Sequence, residues 1–178
     1  MVSLDYLAYN VRVILEVDNL HIYNFLTLVE FNMLFLFCKG ISKEKLTKTI
    51  IKYSLLLFNI IFIITTAVYI YRSQFFDTYN SVATAVGSIL IAIVLFLFFR
   101  EMLLSNKVLN FKKELPFWIT LGLLVYYLGS TPVTSLMNFL KEKSIITVQD
   151  FNVIQLYLLA FMHACFIFGI LWSYKRVK

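Results

Sequence analysis

At 178 residues, 61% hydrophobic and 17% aromatic but only 15% charged, this chain falls short of the roughly 25% charge that covers a water-soluble domain. Its net charge of +6 sits in short segments beside apolar runs, which sets membrane topology and touches anionic headgroups and excludes a nucleic-acid groove. With a mean hydropathy of +0.82 and no Pro-, Gly- or Ser-rich linker, the sequence predicts a single all-α bundle in a lipid bilayer, with no soluble domain attached.

Residues 1–19 form the first segment. Asp5, Arg12, Glu16 and Asp18 leave no apolar stretch for a secretory signal. Leu4, Leu7, Val11, Ile14 and Leu15 recur at helical spacing, which predicts a short amphipathic helix at the interface. Five membrane-spanning helices are expected in residues 20–178, at about 21–38, 53–71, 81–99, 116–136 and 151–173. Each approaches or exceeds the ~18–20 residues needed to cross hydrocarbon. The runs are too long for strands and lack the alternating segments of a membrane barrel.

The first span, LHIYNFLTLVEFNMLFLFC, carries Glu30 at its centre. A carboxylate at bilayer depth costs roughly 2.5 kcal/mol or more and faces a bundle interior or a watery cavity. Glu30 shares a helical face with Tyr23, Thr27, Leu34 and Phe37. It reads equally as a proton, cation or polar-ligand site and as a protonated carboxyl bonding across helices. In the second and third spans, Asn59 and Ser88 beside Gly87 read as helix–helix contacts rather than ligands.

The fourth span places Gly122, Tyr126 and Gly129 on one face, with Tyr126 near the depth of Glu30. Pro132 removes the bond to the Leu128 carbonyl and should kink the helix, and Ser130 and Thr131 can satisfy carbonyls freed there. A hinge or cavity wall and ordinary close packing both fit. In the fifth span His163 lies at the depth of Glu30, with Asn152 in line on the helical wheel and Gln155 nearby. That stripe makes His163 the expected partner of Glu30, against the plainer reading of a neutral imidazole bonded to a neighbour.

Metal, cofactor and catalytic signatures are missing from the sequence. Its two histidines and two cysteines have no metal-ligand spacing, and Cys38 and Cys165 read as small buried hydrophobes. No GxSxG or phosphate loop occurs, and Asp5, Asp18, Asp77 and Asp150 all fall outside the spans, so no intramembrane aspartate pair forms. Lys39, Lys43, Lys45, Lys48, Arg100, Lys107, Lys112, Lys113, Lys175, Arg176 and Lys178 fall on one side if the spans alternate. The loops 39–49 and 100–115 and the C-terminus are therefore expected in the cytoplasm, with the N-terminus outside.

The YNFLTLVEF run around Glu30, the PFWITLGLLVYYLGS run from Pro116 and the closing LWSYKRVK resemble stretches of an uncharacterised family of small multi-pass bacterial inner-membrane proteins. The resemblance covers most of residues 20–178 and implies a membrane bundle, seven-pass in its full form. Such proteins carry about two further helices at the N-terminus, so it also implies a shortened member. It brings no activity with it. The expected function is that of a non-enzymatic, sensor-like or accessory membrane subunit that binds a small ligand, or a membrane or cytoplasmic protein, and that could oligomerise. The alternative is a small transporter or proton-coupled permease component using Glu30 and His163.

Overall fold

Within hydrocarbon every backbone N–H and C=O must be satisfied inside the protein, and a helix achieves this within one segment. The Leu-, Ile- and Phe-rich runs follow that rule. A computed structural model describes residues 20–73, 79–104, 115–142 and 148–174, with side chains over 22–73, 79–104, 115–132 and 153–172. Five helices fill them: α1 (Leu20–Ile41), α2 (Lys45–Tyr71), α3 (Ser81–Leu104), α4 (Leu115–Glu142) and α5 (Val148–Tyr174). No strand occurs among the described residues. The expected amphipathic segment 1–19 lies outside them.

Among the residues whose side chains are described, four helices are long and apolar enough to cross a membrane: α1, α2, α3 and α5. The 28 residues of α4 are long enough to cross hydrocarbon, and its Thr120, Tyr127 and Ser130 are buried. α2 also begins at Lys45, well ahead of residue 53. Thr47, Ile51 and Ser54 are buried there while Lys45, Lys48 and Lys52 are exposed, so an amphipathic start precedes the uniformly apolar run.

α3 is the central helix. Half of its most apolar window is buried, 50% against 28% in α1 and 17% in α2 and α5. The first three helices pack on one another, α4 packs on α3, and among the described residues α5 packs on α4 alone. The α1–α2–α3 core is aromatic, with Phe31 and Phe58 rings 5.0 Å apart and Phe35 and Phe62 at 6.2 and 6.1 Å from Phe58. Gly87 of α3 lets these rings in, because a Cβ there would lie 2.9 Å from Phe58 and 3.0 Å from Phe31.

Polar side chains tie the helix ends and the α1–α2 seam. Asn80 caps α3, its Oδ1 accepting from the Ala83 N–H at 3.1 Å. Its own N–H donates to Asn24 Oδ1 of α1 at 2.8 Å, and its Nδ2 to Thr65 Oγ1 of α2 at 2.8 Å. At the opposite end, Glu101 of α3 accepts from the Ser42 hydroxyl at 2.7 Å and from the Lys43 and Glu44 N–H groups at 2.5 and 3.1 Å. That carboxylate thus fixes the turn leading into α2 by satisfying the two N–H groups just before it. Midway, Asn32 and Asn59 exchange amide bonds at 3.2 and 2.9 Å, the interhelical role expected of Asn59.

Gly122 and Gly129 carry α5. A Cβ at Gly122 would meet the Met162 backbone carbonyl at 3.0 Å and Cys165 Cβ at 3.1 Å, whereas at Gly129 it would meet only the Leu158 tip, at 2.7 Å. Backbone cannot yield, but a leucine tip can turn. Gly122→Ala is therefore expected to destabilise the bundle by about 1–3 kcal/mol and Gly129→Ala by clearly less. Reversible unfolding in mixed micelles measures both, and an equal or inverted order would contradict this packing.

Candidate functional site

The polar side chains of the bundle interior converge at the middle of α1. Thr27 and Glu30, one turn apart, face a cavity of about 70 Å³. Across it α3 presents Thr84 and Ser88, and α4 presents Tyr126, Tyr127 and Ser130, with Tyr79 reaching in from the residues before α3 and Phe31 closing the apolar side. Each element has a local reason for its place. Ala83, Thr84, Gly87 and Ser88 give α3 a stretch of small side chains, which leaves room between α1 and α4. The Asn80 cap fixes the start of α3 and, with it, the neighbouring Tyr79.

Glu30 is held by a residue 97 positions away. The Tyr127 hydroxyl donates to Glu30 Oε1 at 2.5 Å, and its ring lies 5.6 Å from Phe31. α1 and α4 share no backbone contact among the described residues, so this bond crosses the gap that forms the cavity. At the rim, Thr84 Oγ1 donates to Tyr79 Oη at 2.9 Å, and Tyr79 Oη lies 3.4 Å from Thr27 Oγ1. Thr27 Oγ1 in turn donates to the Tyr23 carbonyl at 2.9 Å. Burial pushes the Tyr79 phenol up from its ordinary value, and Glu30 adds to the rise, against the Thr27 and Thr84 hydrogen bonds that lower it. Tyr79 is therefore a neutral hydrogen-bonding group throughout the ordinary pH range.

Of the residues expected at a shared polar site, the structure brings together Glu30 and Tyr126. His163 lies elsewhere. Its Nδ1 donates to the Leu159 carbonyl of its own helix at 2.8 Å and its ring lies 6.1 Å from Phe166. Matched depth does not make neighbours, because α5 packs on α4 and makes no backbone contact with α1 among the described residues. Gln155 is also on α5 and does not line the cavity. Asn152 is helical, but its side chain lies outside the described residues.

The α4 face reads differently as well. Gly122 and Gly129 turn to α5, while Tyr126 faces the cavity. Pro132 sits inside α4, yet Ser130 and Thr131 direct their hydroxyls to the Tyr127 carbonyl rather than to that of Leu128. Tyr127, Tyr79 and Thr84 were not singled out by the sequence. The signal for Tyr127 was present, since Thr120, Tyr127, Ser130 and Thr131 form a stripe at helical spacing. Ser88 proves to be a cavity wall and not only a packing residue.

The site's lining contains one carboxyl, hydroxyls and apolar groups. It includes no Lys, Arg, His or Cys, and no group of three or more His, Cys, Asp or Glu side chains that could hold a metal occurs among the described residues. The volume corresponds to about two waters at ~30 Å³ each. No family model, curated protein or solved structure matches this chain.

A double-mutant cycle checks this geometry. Glu30→Gln and Tyr127→Phe are expected to couple by about 0.6–1.7 kcal/mol, the range found for hydrogen bonds between membrane helices. Glu30→Gln and His163→Ala should be additive within about 0.5 kcal/mol. Strong coupling in the second pair and none in the first would reverse the assignment.

Proposed function

We propose that this chain is a multi-pass integral membrane protein acting as a non-enzymatic, sensor-like or accessory subunit, with the Glu30 cavity as its responsive centre. The observation that carries the reading is the cavity itself. A carboxyl stands at the middle of an apolar helix, walled by hydroxyls from three separate elements, in a space of about 70 Å³. That volume admits water, a proton or a bare ion and excludes an organic metabolite. Tyr127 links two helices that share no backbone contact among the described residues, so a change at Glu30 alters how α4 sits against α1. Coupling of occupancy to packing is what a sensor needs.

In this reading α4 crosses the bilayer as a fifth span, its polar face hidden by α1 and α3. The end bearing Lys39, Lys43, Lys45, Lys48 and Arg100 lies in the cytoplasm of a bacterial cell, where a partner protein can dock on it. The resemblance to small inner-membrane proteins supports that location. The alternative, a small transporter or proton-coupled permease component, draws on the same carboxyl but loses its relay, because His163 stands apart from Glu30.

Proton and cation flux into proteoliposomes, with wild type and Glu30→Gln reconstituted at equal density, separates the two. The sensor reading expects no flux above protein-free vesicles from either protein. Flux in the wild type that disappears in Glu30→Gln would replace it with the transporter.

A further inference from the structure

We infer that the groove between α3 and α4 holds one acyl chain of an anionic phospholipid, whose phosphate meets Arg100 at the basic end of the bundle. The inference rests on the membrane-spanning part of the reading above and uses nothing of the Glu30 cavity. Three observations carry it, and the first is shape. The groove has a volume of about 530 Å³, inside the roughly 300–1,000 Å³ typical of ligand sites. Ala92, 8% exposed, forms its floor, and the exposed side chains of Ile89, Ile93 and Phe96 on α3 and Leu128 on α4 stand beside it as walls. Among the described residues its lining carries no charged side chain, and Thr131 turns its hydroxyl to the Tyr127 carbonyl. Such a surface suits a hydrocarbon chain.

The second is length. Ile89 and Arg100 lie three turns apart on α3, about 16 Å at the rise of a helix. Half of a hydrocarbon core of ~30 Å is ~15 Å. A chain belonging to one leaflet therefore reaches from a headgroup at Arg100 to the far end of the α3 wall.

The third is charge. Arg100 follows Phe96 and Leu97 by one turn, so it continues the groove's own face of α3. Its side chain is 54% exposed, and its ion pair with Glu44 spans 4.0 Å. The neighbouring Glu101 carboxylate is engaged by Ser42, Lys43 and Glu44. A guanidinium presents five donors in a fork that fits a phosphate, so Arg100 can take a headgroup and keep Glu44. Exposed Lys39, Lys43, Lys45 and Lys48 stand at the same end and concentrate anionic headgroups there.

Native mass spectrometry of the full chain, released from nanodiscs of equal phosphatidylcholine and phosphatidylglycerol, tests this. One phospholipid per chain is expected to stay bound, with phosphatidylglycerol favoured about fivefold, the selectivity that one cation confers near a bilayer surface. Arg100→Gln should keep the lipid and lose that preference, and Arg100→Lys should retain most of it. Lys48→Gln removes an equal charge from α2, which lines no part of the groove among the described residues, and should leave the preference unchanged. Ala92→Leu fills the floor and should lower retention of both lipids roughly tenfold at unchanged helix content.

A folded wild type that retains no lipid, or retains both lipids equally, overturns the inference. So does a Lys48→Gln effect equal to that of Arg100→Gln, which would mark a diffuse basic surface. Chains that leave the nanodisc as dimers, with Ala92→Leu monomeric, would give the groove to a second copy instead. A chain that does not enter nanodiscs at all would remove the membrane reading itself.

Discussion

A polar group inside an apolar bundle must find its partner within the protein, and the packing of this chain follows from that constraint. Water is not at hand to satisfy an orphaned amide, hydroxyl or carboxyl, and each one left alone costs more than a typical packing contact contributes. Asn80 therefore answers α1, α2 and α3 together, Glu101 closes the start of α2, and Asn32 pairs with Asn59. These links hold the first three helices in one arrangement. The aromatic core then fills the space they define, with Gly87 as the point where two phenyl rings approach the α3 backbone.

The helical architecture was legible because its cause is composition. Runs rich in Leu, Ile and Phe longer than about eighteen residues leave the backbone no other solution. Glu30 was legible for the same reason, as the one charge in an otherwise apolar run. What the sequence could not supply was helix order. His163 and Glu30 share a depth, but depth is one coordinate of three, and α5 is screened from α1 by its packing on α4. The amide pair shows the same limit: Asn59 announces that it needs a partner, and only the crossing of α1 and α2 names Asn32.

The fourth helix was the hardest to read because it serves two neighbours. Its glycines attract attention as a small-residue face, and that face does receive α5. The other face, with Thr120, Tyr127 and Ser130, has hydroxyls where hydropathy expects leucine. Two adjacent tyrosines, Tyr126 and Tyr127, lie about 100° apart on a helix. The glycine stripe therefore marks Tyr126 and leaves its neighbour Tyr127, which holds Glu30, off its face.

The two faces of α4 together explain why a cavity exists here at all. Close approach at Gly122 seats α4 on α5, and the small side chains of Thr84 and Ser88 on α3 leave the space between α1 and α4 unfilled. The remaining gap is crossed by Tyr127, whose ring packs on Phe31 and whose hydroxyl meets the carboxyl. Ordinary core packing would fill such a gap with leucine, at a gain of about 25 cal/mol per Å² of apolar surface buried. This chain instead lines it with oxygen around a single acid. The Tyr127–Glu30 hydrogen bond therefore ties the seating of α4 against α1 to the carboxyl itself, because no backbone contact joins the two helices among the described residues.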